Sequence, residues 1–424
     1  LRVRFPYGMG YIEAELPENT FPVLSRLPPG FDESRARSVI DEAIRTPIGS
    51  EPLENLAKGC RSITILITDK TRPTPNKLIL PILLRRLHGV GIKKEMVKII
   101  IATGLHKPHT RSEILELVGE EIVDEYEIYS HNAEDKDNHV YLGKTSFNNK
   151  VYVNRDVVRS DLVVGVGLLE PHHFAGYSGG RKLILPGVSG AETIWHNHGF
   201  KMLSHPKAVS GVLEGNPVHE DMVEAAKMVR SYKFIVHVIL DREKRVVRAF
   251  SGDPYEAHRV NAEWLSKYVV VPVPFEADIS IVSNAGYPLD RNLYQANKGI
   301  VTASRVTRRG GVVILLAECR DGVEHEHFRE LLSMSKNPEE ILRYIEKNEP
   351  LRDQDDAQLL AQVLLKNKVI VVTRGIRHNI LEEMNLIPAS TIEEALELAC
   401  RYVECKRIVA IPEGPYVIPM STLQ

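Results

Sequence analysis

Cysteine and tryptophan are scarce in this chain, and no stretch stays apolar for long. The four cysteines in 424 residues, Cys60, Cys319, Cys400 and Cys405, form neither the dense framework of a disulfide-stapled secreted domain nor a ligand pattern for a metal. Cys400 and Cys405 stand five apart in a predicted helix, on different faces, so all four are expected to be buried free thiols in a cytoplasmic protein. The longest apolar run, near residues 78–84, contains Pro81 and falls far short of the ~20 residues a membrane span requires. The opening LRVRFPYGMG has no apolar core of the kind a secretory leader needs, so none is expected. Charge of one sign is also missing. The formal net charge is -2 with no basic stripe, which argues against nucleic acid as a partner. The 25 prolines and 28 glycines are scattered, and no segment has the composition of a disordered tract.

What remains is the composition of a globular protein, 43% hydrophobic and 26% charged, too long for one ordinary core. After a β-rich lead-in and a helix (DESRARSVIDEAI), apolar β-branched runs alternate with amphipathic helices. SITILIT at 62–68 and MVKIIIA at 96–102 are predicted strands, with helices at 76–88 and 110–118. Two prolines at 271–274 mark a boundary. Beyond it the alternation resumes: DISIVS, then a helix over 292–308, GVVILLA, KVIVVT and RIVAIP with helices between. The pattern predicts an α/β protein of two domains, each a mostly parallel or mixed sheet flanked by helices, with the active site in the cleft between them. The expected boundaries are 1–270 and 275–404, with residues 405–424 able to return to the first domain.

The polar clusters fall after predicted strands, where open α/β sheets bind ligands. His172, His173, His196 and His198 lie within 27 residues, and His106 and His109 follow an earlier strand. Imidazole is the commonest metal ligand and titrates near neutrality. There is no HExxH, although the pair His196 and His198 on an extended segment can hold a metal, with Glu170 or Glu192 as a base. GYSGGRK is not a Walker A loop, because Leu183 follows the lysine. Its freed amides can still close on an anion, and Lys182 can act as nucleophile, phosphate partner or covalent anchor. Arg72 can grip a carboxylate, with Asp69 to hold it, and YQANKG opens a helix that offers Gln295 and Lys298. The acidic stretch EDKDNH at 134–139 reads as a solvated loop, and the alternating Glu and His at 324–327 as the start of a helix without a catalytic role.

Taken together, TDKTRP, ATGLHKP, EPHHFAGYSGGRK, TIWHNH and YQANKG, in this order between Asp69 and Lys298, resemble the lactate racemase family, the nickel-pincer-nucleotide 2-hydroxyacid racemases and epimerases. The resemblance implies an isomerase whose Lys182 is joined through a thioamide to a pyridinium mononucleotide, which holds nickel through two sulfurs and a ring carbon. It implies that His198 completes the nickel site and that His106 and His172 form the acid/base pair. Asp69, Ser178, Gly179, Gly180 and Gln295 then surround the cofactor, and Arg72, Lys298 and Tyr294 the substrate. The implied reaction inverts C2 of a 2-hydroxy acid by reversible hydride transfer through a 2-keto acid, which avoids a carbanion beside a carboxylate. The implied partners are a small 2-hydroxy acid and the enzymes that make the cofactor. His109, His173 and His196, which neighbour the matched histidines, suggest a substrate more polar than lactate. Two other readings stay open from the residues themselves. One is a histidine-cluster metal hydrolase, which would tolerate loss of Lys182. The other is a non-catalytic nucleotide or metal sensor, which would not need both His106 and His172.

Overall fold

The pleat explains how the predicted strands pack. In a computed structural model that describes residues 1–422, Ile63, Ile65 and Ile67 of Ile63–Thr68 enter one hydrophobic layer while Leu66 enters the opposite one. Val97–Ala102 repeats this, with Ile99 and Ile101 on one side and Ile100 on the other. Strands apolar on both faces need a cover on both faces, which the helices supply. Burying each such isoleucine contributes about 1.5–3 kcal/mol.

The first sheet has six strands, in the spatial order Val246–Gly252, Tyr232–Leu240, Leu162–Leu168, Ile63–Thr68, Val97–Ala102 and Glu127–Ser130. All neighbours are parallel except the edge strand Val246–Gly252. The second sheet is wholly parallel, in the order Ile387–Ala389, Lys368–Val372, Thr307–Leu316, Ala277–Ser283, Ile408–Ile411 and Phe21–Pro22. It too is sandwiched between two apolar layers. The α/β class and the two flanked sheets are those expected from the sequence.

The chain termini differ from the sequence-based expectation. Phe21–Pro22 pairs with Ile408–Ile411 at the edge of the second sheet. The hairpin of Arg2–Tyr7 and Gly10–Glu15 lies against the same lobe: Phe5, Ala14 and Leu16 join its core, and the Gly8 amide donates to Asp290 at 2.7 Å. Residues after 405 divide between the lobes: Ile408–Ile411 sits inside the second sheet, whereas Tyr416 bonds Lys244, Ile418 joins the core of the first lobe, and Ile418–Ser421 pairs with Val270–Val273. Neither placement has a local signal, since each depends on a partner more than a hundred residues away. The helix predicted over 292–308 is shorter, Leu293–Ser304, and Thr307–Leu316 is already strand.

The cysteine expectation also fails in part. The helix Ile392–Cys400 ends at Cys400, so Cys405 is on the following turn and not on an opposite helix face. Their Cα atoms are 5.6 Å apart and a disulfide joins them. Cys319 is a buried free thiol and Cys60 a partly buried one. Cysteine usage therefore no longer argues for a reducing compartment. Among the described residues no helix is long and apolar enough to cross a membrane.

Candidate active site

The strand ends of both sheets converge on one cavity of about 160 Å³. After Ile63–Thr68 come Asp69 and Arg72, after Val97–Ala102 comes His106, and after Leu162–Leu168 come His172 and His173. The second lobe contributes Tyr294, Gln295 and Lys298 from the first turns of Leu293–Ser304, and Asp355 and Asp356 from the start of Gln354–Lys366. Asn292 caps the former helix by accepting from the Gln295 amide, which fixes its entry. Residues 295 and 298 then share a face, and Lys298 Nζ donates to Gln295 Oε1 at 2.8 Å.

The two histidines that the resemblance makes the acid/base pair, His106 and His172, are held differently. His106 Nδ1 lies 2.5 Å from Asp69 Oδ2. Burial works to raise the Asp69 carboxyl, but His106 and the Thr71 hydroxyl, which donates at 2.5 Å, overcome it and hold Asp69 well below the usual carboxylate range. His172 is buried, and its Nδ1 accepts from the Ala175 amide at 3.3 Å. Burial first, then the charges of Lys182 and neighbouring His173, push its pKa well below the usual imidazole value. His173 stacks on it, centroids 4.7 Å apart, and approaches Asp356 at 3.5 Å.

Lys182 sits on a loop built around a hidden guanidinium. Arg181 is 1% exposed, and it donates to the carbonyls of Ala175 at 2.6 Å and Gly179 at 3.1 Å. Gly179 and Gly180 both have positive φ, +75° and +55°. A Cβ on Gly180 would stand 2.9 Å from the His258 ring and 3.0 Å from the Pro254 carbonyl, so only glycine passes. The loop presents Lys182 to the cavity. Burial first, then the positive charges of Arg181 and Arg72, pull its pKa well below that of a free lysine. An amine so placed gives up its proton more readily than a free lysine, which suits it to a covalent attachment. Lys298 is lowered to about 8, by burial and by Arg72.

Of the expected site residues, Asp69, Arg72, His106, His172, Ser178, Gly179, Lys182, His198, Tyr294, Gln295 and Lys298 all line the cavity. Gly180 does not. Its amide donates to His237 Nε2 at 2.8 Å, so it frames the loop and is not free for an anion. Asp69 does not hold Arg72, being engaged with His106; Glu170 does, 3.3 Å from Arg72 Nε. His109 is turned to Ser130 and the Lys70 amide and supports the Asp69 loop from behind. His196 and His198 are not on an extended segment. The helix Ala191–Asn197 carries the first and ends at the second, and His196 is exposed with Nε2 2.9 Å from the Phe147 carbonyl. Two residues apart on a helix point in nearly opposite directions, so the pair cannot share a metal. His198 faces the cavity alone. Its Nδ1 is buried without a partner among the described residues, and burial followed by Lys182 lowers its pKa to about 3.

Asp355, Asp356 and Phe174 also line the cavity; the two aspartates belong to no motif in the sequence, and Phe174 lies within EPHHFAGYSGGRK with no role expected of it. The pair Asp355–Asp356 reads there only as an acidic helix start. His325, set aside from the sequence, stacks on Tyr294 with centroids 3.8 Å apart and pairs with Asp353 at 3.0 Å. Among the described residues no three His, Cys, Asp or Glu side chains form a metal-binding group. A hydrolase metal held by protein ligands alone would need one.

Comparison with known proteins gives the family. Residues 7–211 match the lactate racemase N-terminal domain and residues 273–419 the lactate racemase C-terminal domain. A lactate racemase from Thermoanaerobacterium thermosaccharolyticum is 36% identical over 98% of this chain and 98% of its own. One from Lactiplantibacillus plantarum is 35% identical over 98% of this chain and 99% of its own. The solved lactate racemase apoprotein from T. thermosaccharolyticum superposes with a TM-score of 0.93, covering 99% of this chain and 100% of that one. A Thermotoga maritima protein, 16% identical with a TM-score of 0.68, shares the fold. With both of its domains matched and the cavity between them lined by the matched motifs, the chain belongs to the lactate racemase family of isomerases.

Proposed function

We propose that the protein inverts C2 of a 2-hydroxy acid, lactate or a more polar relative, with a nickel-pincer nucleotide tethered to Lys182. The observation that carries this reading is a depressed, cavity-facing Lys182 sharing one chamber with His106, His172, Arg72 and Lys298. The residues fit the group. Lys182 has cations around it and Phe174 below, with Nζ 5.6 Å from the ring centroid, and His198 has an orphaned ring nitrogen. One protein ligand suffices where the nucleotide itself supplies the other donors. Lys182 would carry the group and His198 would complete its nickel site, with Ser178, Gly179 and Gln295 alongside. When bound, the group supplies the hydride acceptor that lets C2 pass through a planar 2-keto acid.

The rest of the chemistry falls to this chain's own side chains. Arg72, fixed by Glu170, can hold the substrate carboxylate, and Lys298 can stabilise charge on the C2 oxygen. The hydrogen bonds assign the two histidines opposite tautomers. The Asp69 carboxylate accepts from His106 Nδ1–H, which leaves His106 Nε2 as an acceptor for the hydroxyl proton. The Ala175 amide donates to His172 Nδ1, which leaves His172 Nε2–H as a donor toward oxygen. Inversion needs proton transfer on both sides of a flat intermediate, and one acceptor with one donor meets that need. Maturation by cofactor-making enzymes and a cytoplasmic location belong to the same reading.

The test is the mass of the Lys182 peptide, with bound nickel assayed alongside, from protein co-produced with cofactor-making enzymes. A nucleotide adduct with nickel, and interconversion of lactate enantiomers on a chiral column, are the expected results. An unmodified Lys182 beside a loaded control racemase from the same cells would refute the reading.

A further inference from the structure

Beside Arg72 and His172 a smaller chamber of about 30 Å³ adjoins the active-site cavity. The two chambers share Thr71, Arg72, His172, His173 and Lys298. A group held by Arg72 and Lys298 against His172 would therefore lie next to the second chamber. Its far wall is mixed: Pro73, Pro171, Leu289 and Pro415 are apolar, and Glu170, Ser210, Thr302 and Tyr416 set polar groups among them. Ser210 and Thr302 are each only 6% exposed, and neither hydroxyl has a hydrogen-bond partner among the described residues. Ser210 is engaged through its carbonyl, which accepts from Arg305 at 2.6 Å, so its hydroxyl is left over. Both oxygens stay open to the chamber, so each is free to bond a polar group placed there. Glu170 gives one edge to Arg72 Nε and keeps further acceptor sites. The Tyr416 hydroxyl is bonded to the Lys244 ammonium, which orients it.

We propose that this chamber is a subsite for hydroxyl groups on C3 and C4 of the substrate, so that the protein prefers short polyhydroxy acids over lactate. The inference rests on the reading that the main site inverts 2-hydroxy acids. Size sets its reach, because about 30 Å³ accommodates about two water-sized groups. Charge sets its selectivity. A second carboxylate, as in malate, would meet the Glu170 carboxylate, whereas a hydroxyl can donate to Glu170 and accept from Ser210 or Thr302.

The experiment uses enzyme co-produced with the cofactor-making enzymes and shown by mass to carry the Lys182 adduct. Inversion of lactate, glycerate, erythronate and malate is followed by chiral chromatography. The expected kcat/KM for glycerate is about tenfold above that for lactate, with malate below both, since one or two added hydrogen bonds to buried groups have about this effect. Ser210→Ala and Thr302→Val are each expected to lower the glycerate-to-lactate ratio by about three- to tenfold. Lactate turned over as well as or better than glycerate would overturn the subsite, and would mean that the chamber holds water only. The wild-type ratio decides this even if a variant fails to fold. Adduct-bearing enzyme that inverts none of the four acids would overturn the functional reading, and the subsite with it.

Discussion

His106 Nδ1 stands 2.5 Å from the Asp69 carboxylate, a residue 37 positions earlier on the neighbouring strand end. The two strands Ile63–Thr68 and Val97–Ala102 run parallel and adjacent, so their C-terminal loops meet. Through this contact the carboxylate sets which ring nitrogen of His106 faces the substrate.

Asp69→Asn removes the charge and lets the amide donate to the ring, favouring the wrong tautomer. The expected result is a fall in kcat of about 10²-fold or more with KM for substrate changed far less. A loss confined to KM would show that Asp69 acts on binding and not through His106.

Lys182→Arg keeps a cation on the loop but cannot form the thioamide. It should give a peptide without adduct, no bound nickel and no inversion, while the unfolding temperature of the apoprotein changes little. Retained nickel and turnover would move the attachment point elsewhere.

Gly180→Ala places a methyl 2.9 Å from His258 at a φ of +55°. A cost of about 1–3 kcal/mol is expected from the strained backbone and the overpacking together. Chemical denaturation would read this as a lower midpoint at unchanged slope. An unchanged midpoint would mean that the loop relaxes without cost.

The apoprotein should lose stability in mild acid. Burial keeps His131 and His237 neutral, lowered in each case to about 4, with the Ser189 carbonyl opposing the shift at His131. In the unfolded chain both titrate near 6.5. Between these values the unfolded state binds more protons, so stability is complete above about 6.5 and falls as the pH drops toward 4. Each histidine contributes about 1–2 kcal/mol to the loss between pH 7 and pH 5. Asp69, depressed in the fold, adds to the loss as the pH falls below its unfolded value near 4. Calorimetry showing the same transition temperature at pH 5 and pH 7 would contradict this.

Much of the site is legible in the sequence because its parts are local. A strand followed at once by TDKTRP or ATGLHKP places Asp69, Arg72 and His106 at a sheet's carboxyl edge, and apolar alternation makes that edge predictable. The glycines before Lys182 likewise announce a tight loop. Tertiary structure alone decided what each group meets there. It gave Asp69 to His106 and Glu170 to Arg72, assigned the Gly180 amide to His237, turned His196 away from His198, and brought Asp355 and Asp356 across from the other lobe. It also put the first 22 residues against strands from the far end of the chain and joined Cys400 to Cys405 past a helix end. Periodicity and turn chemistry act over a few residues, so the sequence by itself determines the elements and what stands at their ends. Hydrogen bonds and ion pairs form between groups that only the packing of those elements brings within a few ångströms.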